Sequence, residues 1–320
     1  MCYSALAEQD LKKYQMRKGT AVDLPAFKKL FQRRFDGENL YIPKGLEANF
    51  LGDSKETEDI KNLILGFKKN KISEEQQNLF AFKRRFDEAE KKLAEKVTKS
   101  AQKEKEVSER QMDRTKQRLQ NLESTHLTEG DYRIFPMGWA PLLLMKGGQL
   151  EIVPTRYHLR PQGQPESFDR KYDGNYNARR ENLEKVVWWK NLFGKNHGIF
   201  IFNRFFENVP QHKFEHRDLR KDEPEQNLVL EFTPSDHKPM YIAALYDAWP
   251  DNNNPQFYSA AAITMDPPPE VAATGHQRCI VPIPEALVDQ WLKPGQPLSH
   301  YYGILDQRVM PYFEHKIAVA

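Results

Sequence analysis

Between Ser73 and Gly130 the chain contains neither glycine nor proline. A run that long, free of helix breakers and filled with Glu, Lys, Gln and Arg, has one regular form open to it, the α-helix. Ser73-Glu74-Glu75-Gln76 reads as a capping box at its start. Leu79, Phe82, Phe86, Ala89 and Leu93 then step by three and four residues, which is one helix face, and Val97 and Ala101 continue the stripe more weakly. The spacing predicts a helix of about 45 to 50 residues, so part of it is expected as coiled coil or hairpin. Two shorter amphipathic segments precede it and are its natural partners. Leu24, Phe27, Leu30 and Phe31 mark one; Ile60, Leu63, Ile64 and Phe67 mark the other. Lys83, Arg84, Arg85, Lys91, Lys92, Lys96 and Lys99 form a basic face, but acids interleave with it, so it reads as solvated rather than as a nucleic-acid surface. Residues 73–124 are expected to serve self-association or a protein partner.

From residue 130 the texture changes to short β-rich runs separated by turn residues. Strands are expected near Arg133–Phe135, Leu142–Met145, Leu150–Val153, His197–Phe202, Leu228–Phe232, Met240–Leu245, Phe257–Ile263 and Cys279–Ile283, with a short helix from Pro284 to Leu292. The fold class is therefore α+β: a largely antiparallel, barrel-like β core with flanking helices, plus a long helical or coiled-coil insertion near the N-terminus. The expected division is 1–9 with 129–320 as the β domain and 10–128 as the insertion. No window approaches a membrane span, and the first residues have no basic and apolar signal pattern. Only Cys2 and Cys279 are present, too few for a disulfide framework. A cytoplasmic protein is the expectation, and no cofactor or metal is called for. The 48 basic and 45 acidic residues nearly balance, which permits nucleic-acid binding only through a local patch.

Cys2 directly follows Met1. Removal of the Met would leave a free α-amine beside a thiol, two nucleophiles titrating near ~7.7–8.0 and ~8.5. Such a 1,2-aminothiol attacks acyl carbons, or condenses with an aldehyde to an imine and then a thiazolidine, the second nucleophile being already in place. Three later segments bear on it. Asn177 lies in Asn175-Tyr176-Asn177-Ala178-Arg179-Arg180-Glu181, Glu207 closes the apolar run Arg204-Phe205-Phe206-Glu207-Asn208, and His276 sits in Gly275-His276-Gln277-Arg278-Cys279. Each has an ordinary reading too: a turn cap, an edge-strand charge and a loop imidazole.

Met1-Cys2, Asn177-Ala178-Arg179-Arg180-Glu181, Phe205-Phe206-Glu207 and His276-Gln277-Arg278 occur in an order that resembles the SRAP family, the SOS response-associated peptidases that act on abasic DNA. The resemblance covers Met1–Ser4 and roughly 130–295, where Phe135-Pro136 and Arg156-Tyr157-His158-Leu159-Arg160-Pro161 resemble two weaker family segments. It implies that Cys2 is the covalent nucleophile, that Asn177 orients the Cys2 ring or the opened sugar, and that Glu207 shuttles protons during imine formation. It further implies that His276 assists sugar ring-opening or reversal of the crosslink. Arg179 and Arg278, with Arg156, would hold phosphates. Phe135 and Pro136 would wedge against a base, and Trp188 of the Trp188-Trp189 pair would supply a stacking platform; core packing is the competing reading for these. The chain departs from the family in carrying Tyr3 and Ser4 after Cys2, where Gly and Arg are usual, Asn208 where Trp is usual, and Tyr157-His158 where Trp-Gly is usual. The expected function is covalent capture of abasic sites in single-stranded DNA through Cys2, with autoprocessing peptidase activity, at the nucleoid when DNA is bound. The alternatives are an N-terminal-nucleophile cysteine amidohydrolase, which leaves the order of Asn177, Glu207 and His276 unexplained, and a non-catalytic coiled-coil DNA-binding adaptor.

Overall fold

A computed structural model describes residues 3–16, 19–249 and 257–318. The strands in chain order are β1 (Ser4–Ala7), β2 (Ala21–Val22), β3 (Arg133–Ile134), β4 (Trp139–Lys146), β5 (Gln149–Tyr157), β6 (Asn177–Arg179) and β7 (His197–Pro210). They continue with β8 (Asn227–Pro234), β9 (Met240–Trp249), β10 (Phe257–Met265), β11 (Cys279–Ile280), β12 (Pro282–Ile283) and β13 (Phe313–Ile317). All belong to one sheet. β4, β5, β10, β9 and β7 pair in succession, and β7 pairs back with β4, so these five close into a ring. Within it only β5 and β10 run parallel. The architecture is α+β and largely antiparallel as expected, though the closed part is an irregular ring with strands added outside it.

The ring interior explains its composition. Tyr157, Phe200 and Phe202 meet there, with ring centroids 5.7 Å apart for Tyr157–Phe200 and 5.5 Å for Phe200–Phe202. Ala244, Ala260 and Ala262 are fully buried in the same cluster and leave room for those rings. Gly198 is needed on β7 because a Cβ there would lie 2.8 Å from Leu142 Cδ2. Burying each large apolar side chain contributes roughly 1.5–3 kcal/mol relative to exposure, so the ring is a rigid base for whatever it carries.

The helical region forms a hairpin, as expected, but its helices start and divide elsewhere. Helices α1 (Leu11–Gln15), α2 (Leu24–Phe35) and α3 (Lys44–Ala48) are followed by α4 (Glu58–Glu95) and α5 (Lys99–Glu123). Ser73 is therefore no helix start: it lies inside α4, and the Ile60–Phe67 segment is the first part of the same helix. Residues between them contain no breaker, so the capping-box pattern has no end to cap. The long run is instead divided at Lys96-Val97-Thr98, where Lys96 turns extended and the Thr98 hydroxyl accepts from the Ala101 N–H at 3.2 Å. The two helices form an antiparallel hairpin. Its ladder of pairs runs from Lys105–Glu90 and Arg85–Glu104 to a two-pronged Arg118–Glu75 contact at 2.9 Å. No described helix is long and apolar enough to cross a membrane.

The chain divides into two compact units. One unit comprises 1–30, 39–52 and 128–320; the other comprises 31–38 and 53–127. Residues 11–15 and 39–52 belong with the β unit because they supply part of its packing. The buried Tyr14 hydroxyl is 3.3 Å from the Glu8 and Pro141 carbonyls and from the Ile201 N–H. Phe27 stacks tilted on Phe50 at 5.2 Å, and both are buried. Replacing residues 54–126 by a Gly/Ser linker should therefore preserve a cooperative thermal melt, whereas a linker across 12–126 should abolish it; calorimetry on both variants checks this.

Candidate active site

β1 is the element through which the start of the chain reaches the sheet. It pairs antiparallel with β7, Ser4 opposite Phe206 and Ala5 opposite Phe205, and with β3 on its other side. The Tyr3 N–H donates to the Phe206 carbonyl at 3.0 Å. Cys2 lies outside the described residues; its covalent neighbour Tyr3 is thus anchored on the strand that carries Glu207.

Strand alternation puts Glu207 on the same face as Phe205 and Val209, both core residues. Its side chain is 0% exposed. Burial penalises the carboxylate and pushes the Glu207 carboxyl up to about 8, against a smaller opposing effect of the Tyr3 N–H. His276 Nε2 stands 3.3 Å from Glu207 Oε2, and His276 Nδ1 is 2.7 Å from the Arg278 carbonyl. A carbonyl only accepts, so Nδ1 carries the hydrogen and Nε2 presents its lone pair to Glu207. Burial pushes His276 down to about 4. At neutral pH the pair is therefore a neutral carboxylic acid facing a neutral imidazole. This arrangement can donate one proton from Glu207 and retrieve it, with the imidazole beside the carboxylate that forms.

Asn177 is buried on β6, which runs parallel to β10 with Asn177 opposite Ala262 and Arg179 opposite Thr264. β10 takes β11 through Thr264–Ile280 and Met265–Cys279, so the Asn177 strand and the His276-Gln277-Arg278 segment attach to one strand end. Arg179 is exposed. Arg156 and Arg278, the other two expected phosphate contacts, are paired with carboxylates. Arg156 is only 5% exposed and forks onto Asp169 at 2.8 and 3.1 Å, with Arg160 on the same carboxylate. Arg278 forks onto Glu181 at 2.7 and 2.9 Å and also donates to the Thr264 carbonyl at 2.9 Å. Both guanidinium forks are engaged by carboxylates that sequence spacing does not reveal.

Trp188 is half-buried against Tyr172 and Phe168, at 5.0 and 5.5 Å, beside a cavity of about 760 Å³. Pro136 is the second residue of a tight turn in which Gly138 N–H bonds Phe135 O at 2.8 Å. Met137 follows at φ 73°, a left-handed conformation unusual for a side-chain-bearing residue, with its side chain exposed. Sequence reasoning did not single out three contributors near β1. Arg133 sits over the Phe206 ring, 3.7 Å from its centroid, and donates to Ser4 Oγ at 3.0 and 2.9 Å. Tyr3 and Tyr41 both set their rings edge-on to Phe135, at 5.8 and 6.4 Å. Their signal, aromatic and guanidinium types interleaved, becomes visible only once the strands are aligned.

The family model described as SOS response associated peptidase (SRAP) matches residues 94–316. Among solved structures, a protein from Bordetella bronchiseptica is 17% identical with a TM-score of 0.46, covering 62% of this chain and 90% of that one. A protein from Bacteroides thetaiotaomicron is 14% identical with a TM-score of 0.45, covering 58% and 77%. A phage-related protein from Bordetella bronchiseptica is 19% identical with a TM-score of 0.43, covering 58% and 81%. No curated protein matches the chain.

Proposed function

Because the chain belongs to the SOS response associated peptidase (SRAP) family, a DNA-damage-response family associated with DNA binding, we propose that it captures abasic sites in single-stranded DNA covalently through Cys2. The observation that carries this reading is the buried Glu207–His276 pair at 3.3 Å, with Glu207 on the strand to which the Tyr3 N–H is hydrogen-bonded. Once Met1 is removed, the Cys2 amine attacks the aldehyde carbon of the ring-opened sugar to give a carbinolamine. Glu207 gives its proton to the departing hydroxyl, which leaves as water, and the imine forms. The Cys2 thiolate then adds to the imine carbon, closing a thiazolidine, and the nitrogen regains a proton. The proton that the Cys2 thiol loses on becoming a thiolate is taken up by His276 Nε2 and passed to the Glu207 carboxylate, which restores the acid. Asn177 orients the ring or the opened sugar.

Removal of Met1 itself is assigned to the same thiol. It attacks the Met1 carbonyl, the amide nitrogen leaves as the Cys2 amine, and water hydrolyses the thioester. The chain is placed in the cytoplasm, at the nucleoid when DNA is bound.

Incubation with an abasic oligonucleotide should give a heat-stable shifted band on a denaturing gel. Cys2→Ala should abolish that band while leaving non-covalent binding in place. Cys279→Ser should leave the yield unchanged, since Cys279 is 0% exposed in the core. A Cys2→Ala protein that still forms the band would refute the assignment.

Exposed Arg179 is the phosphate contact in this reading. Arg179→Ala should flatten the dependence of log K on log salt by about 0.7, the value of one single-strand phosphate contact. Arg156→Ala should leave that slope unchanged but lower stability by about 3 kcal/mol, because buried Asp169 loses one of its guanidinium partners. Fluorescence anisotropy over a salt series and urea melts separate the two outcomes.

A further inference from the structure

We propose that Glu181 and Arg278 are positioning residues whose ion pair fixes the loop that aims His276 at Glu207. The inference rests on the proposed role of the Glu207–His276 pair, and a chain of contacts supports it. The segment is held at both ends. At its start Gly275 takes φ +88°, and a Cβ there would lie 2.8 Å from Lys213 Cβ and 3.2 Å from the Lys213 carbonyl carbon. At its end Cys279 enters β11 opposite Met265. Between these points only His276, Gln277 and Arg278 remain to set the imidazole.

Arg278 does this with two of its parts at once. Its guanidinium is tied to Glu181 by two bonds and to the Thr264 carbonyl by a third, so the side chain has one orientation. Its main-chain carbonyl accepts from His276 Nδ1–H at 2.7 Å, which selects the tautomer and turns Nε2 toward Glu207. Glu181 serves as a permanent anion in this pair. Burial raises its carboxyl, but the Arg278 hydrogen bonds override that and leave it below the usual carboxylate range. Arg278 is only 11% exposed, whereas Glu181 is 47% exposed. A phosphate could take the Arg278 fork only by displacing Glu181. The groups that act on His276 are the α-amine at the start of the chain and Arg278, both of which lower it, with the Glu207 carboxyl facing Nε2.

The full-length protein labelled with ¹⁵N-histidine provides the test, the His276 signals being assigned by their loss in His276→Gln. Wild type should show the Nδ1–H tautomer and titrate near pH 4. Glu181→Gln and Arg278→Lys should each mix the tautomers and lower the midpoint below the wild-type value, because the Arg278 carbonyl bond that they loosen raises the imidazole. The double variant should shift no further than either single one, because the two side chains act as a unit. Glu181→Gln alters a half-exposed side chain conservatively and should fold even if an Arg278 variant does not. An unchanged His276 titration in Glu181→Gln overturns the proposal. So does an unchanged titration in Arg278→Ala accompanied by a salt slope lowered by about 0.7, which would make Arg278 a phosphate contact instead. The readout needs no DNA and no Cys2 chemistry, so it stands or falls apart from covalent capture.

Discussion

Glu207→Gln should reduce the rate of abasic-site capture by about 10²–10⁴-fold, the usual contribution of a positioned general acid, while making the folded protein more stable at pH 7. The side chain keeps its shape and can still donate to His276 Nε2, but it has no transferable carboxyl proton. In the wild-type protein the acid form of Glu207 is populated below about 8. The free α-amine of Cys2 is populated above ~7.7–8.0. Capture should therefore peak near pH 8 and fall on both sides, and the Gln variant should lose the alkaline limb. The stability effect has the opposite sign. A carboxyl raised from 4.5 to about 8 binds more protons folded than unfolded between those values, so its favourable contribution is complete below 4.5 and is lost as pH rises through 8. At pH 7 the buried carboxyl costs roughly 3 kcal/mol that Gln does not incur. Single-turnover gels across pH and paired urea melts check both halves. A variant less stable than wild type at pH 7 would show that Glu207 is not held as a buried acid.

Acid should unfold the protein largely through His197. The ring is 2% exposed, stacked 4.0 Å from Trp291, with Nε2 accepting from the Gly194 N–H and Nδ1 donating to the Trp291 carbonyl, both at 2.8 Å. Both nitrogens are used by a neutral imidazole, and burial pushes its titration down to about 3. The unfolded chain binds a proton near pH 6.5 that the folded chain refuses, so stability falls as pH drops from about 6.5 to about 3. The total loss is roughly 4–5 kcal/mol, a large share of a typical domain's stability. His158 and His276, also lowered by burial, act in the same direction. His197→Gln, which can keep one donor and one acceptor, should show a shallower loss of urea midpoint between pH 6.5 and 4 than wild type. Equal slopes would place the acid sensitivity elsewhere.

The strands expected from Arg133 to Ile283 all appear, because each is a short, largely apolar run set between turn formers. The order of Asn177, Glu207 and His276 around the SRAP resemblance was legible for the same reason: it is carried in linear segments. β1 was not legible. Ser4-Ala5-Leu6-Ala7 has no alternation to read, since partners on both sides bury it. Nor was the hairpin turn at Lys96-Val97-Thr98, where one threonine cap divides a stretch whose composition is helical throughout.

What the sequence by itself determined is local: element type, the helical run, and the residue types able to do aldehyde chemistry. The tertiary structure decided which charges are spent on structure. Arg278 meets Glu181 across 97 residues and Arg156 meets Asp169 across 13, and neither pairing leaves a periodic trace. It also decided that Glu207 is an acid rather than an edge-strand anion, because its protonation depends on the desolvation that Phe205, Val209 and their neighbours impose once the sheet is closed. Burial is a property of the assembled ring, and no window of residues along the chain contains it.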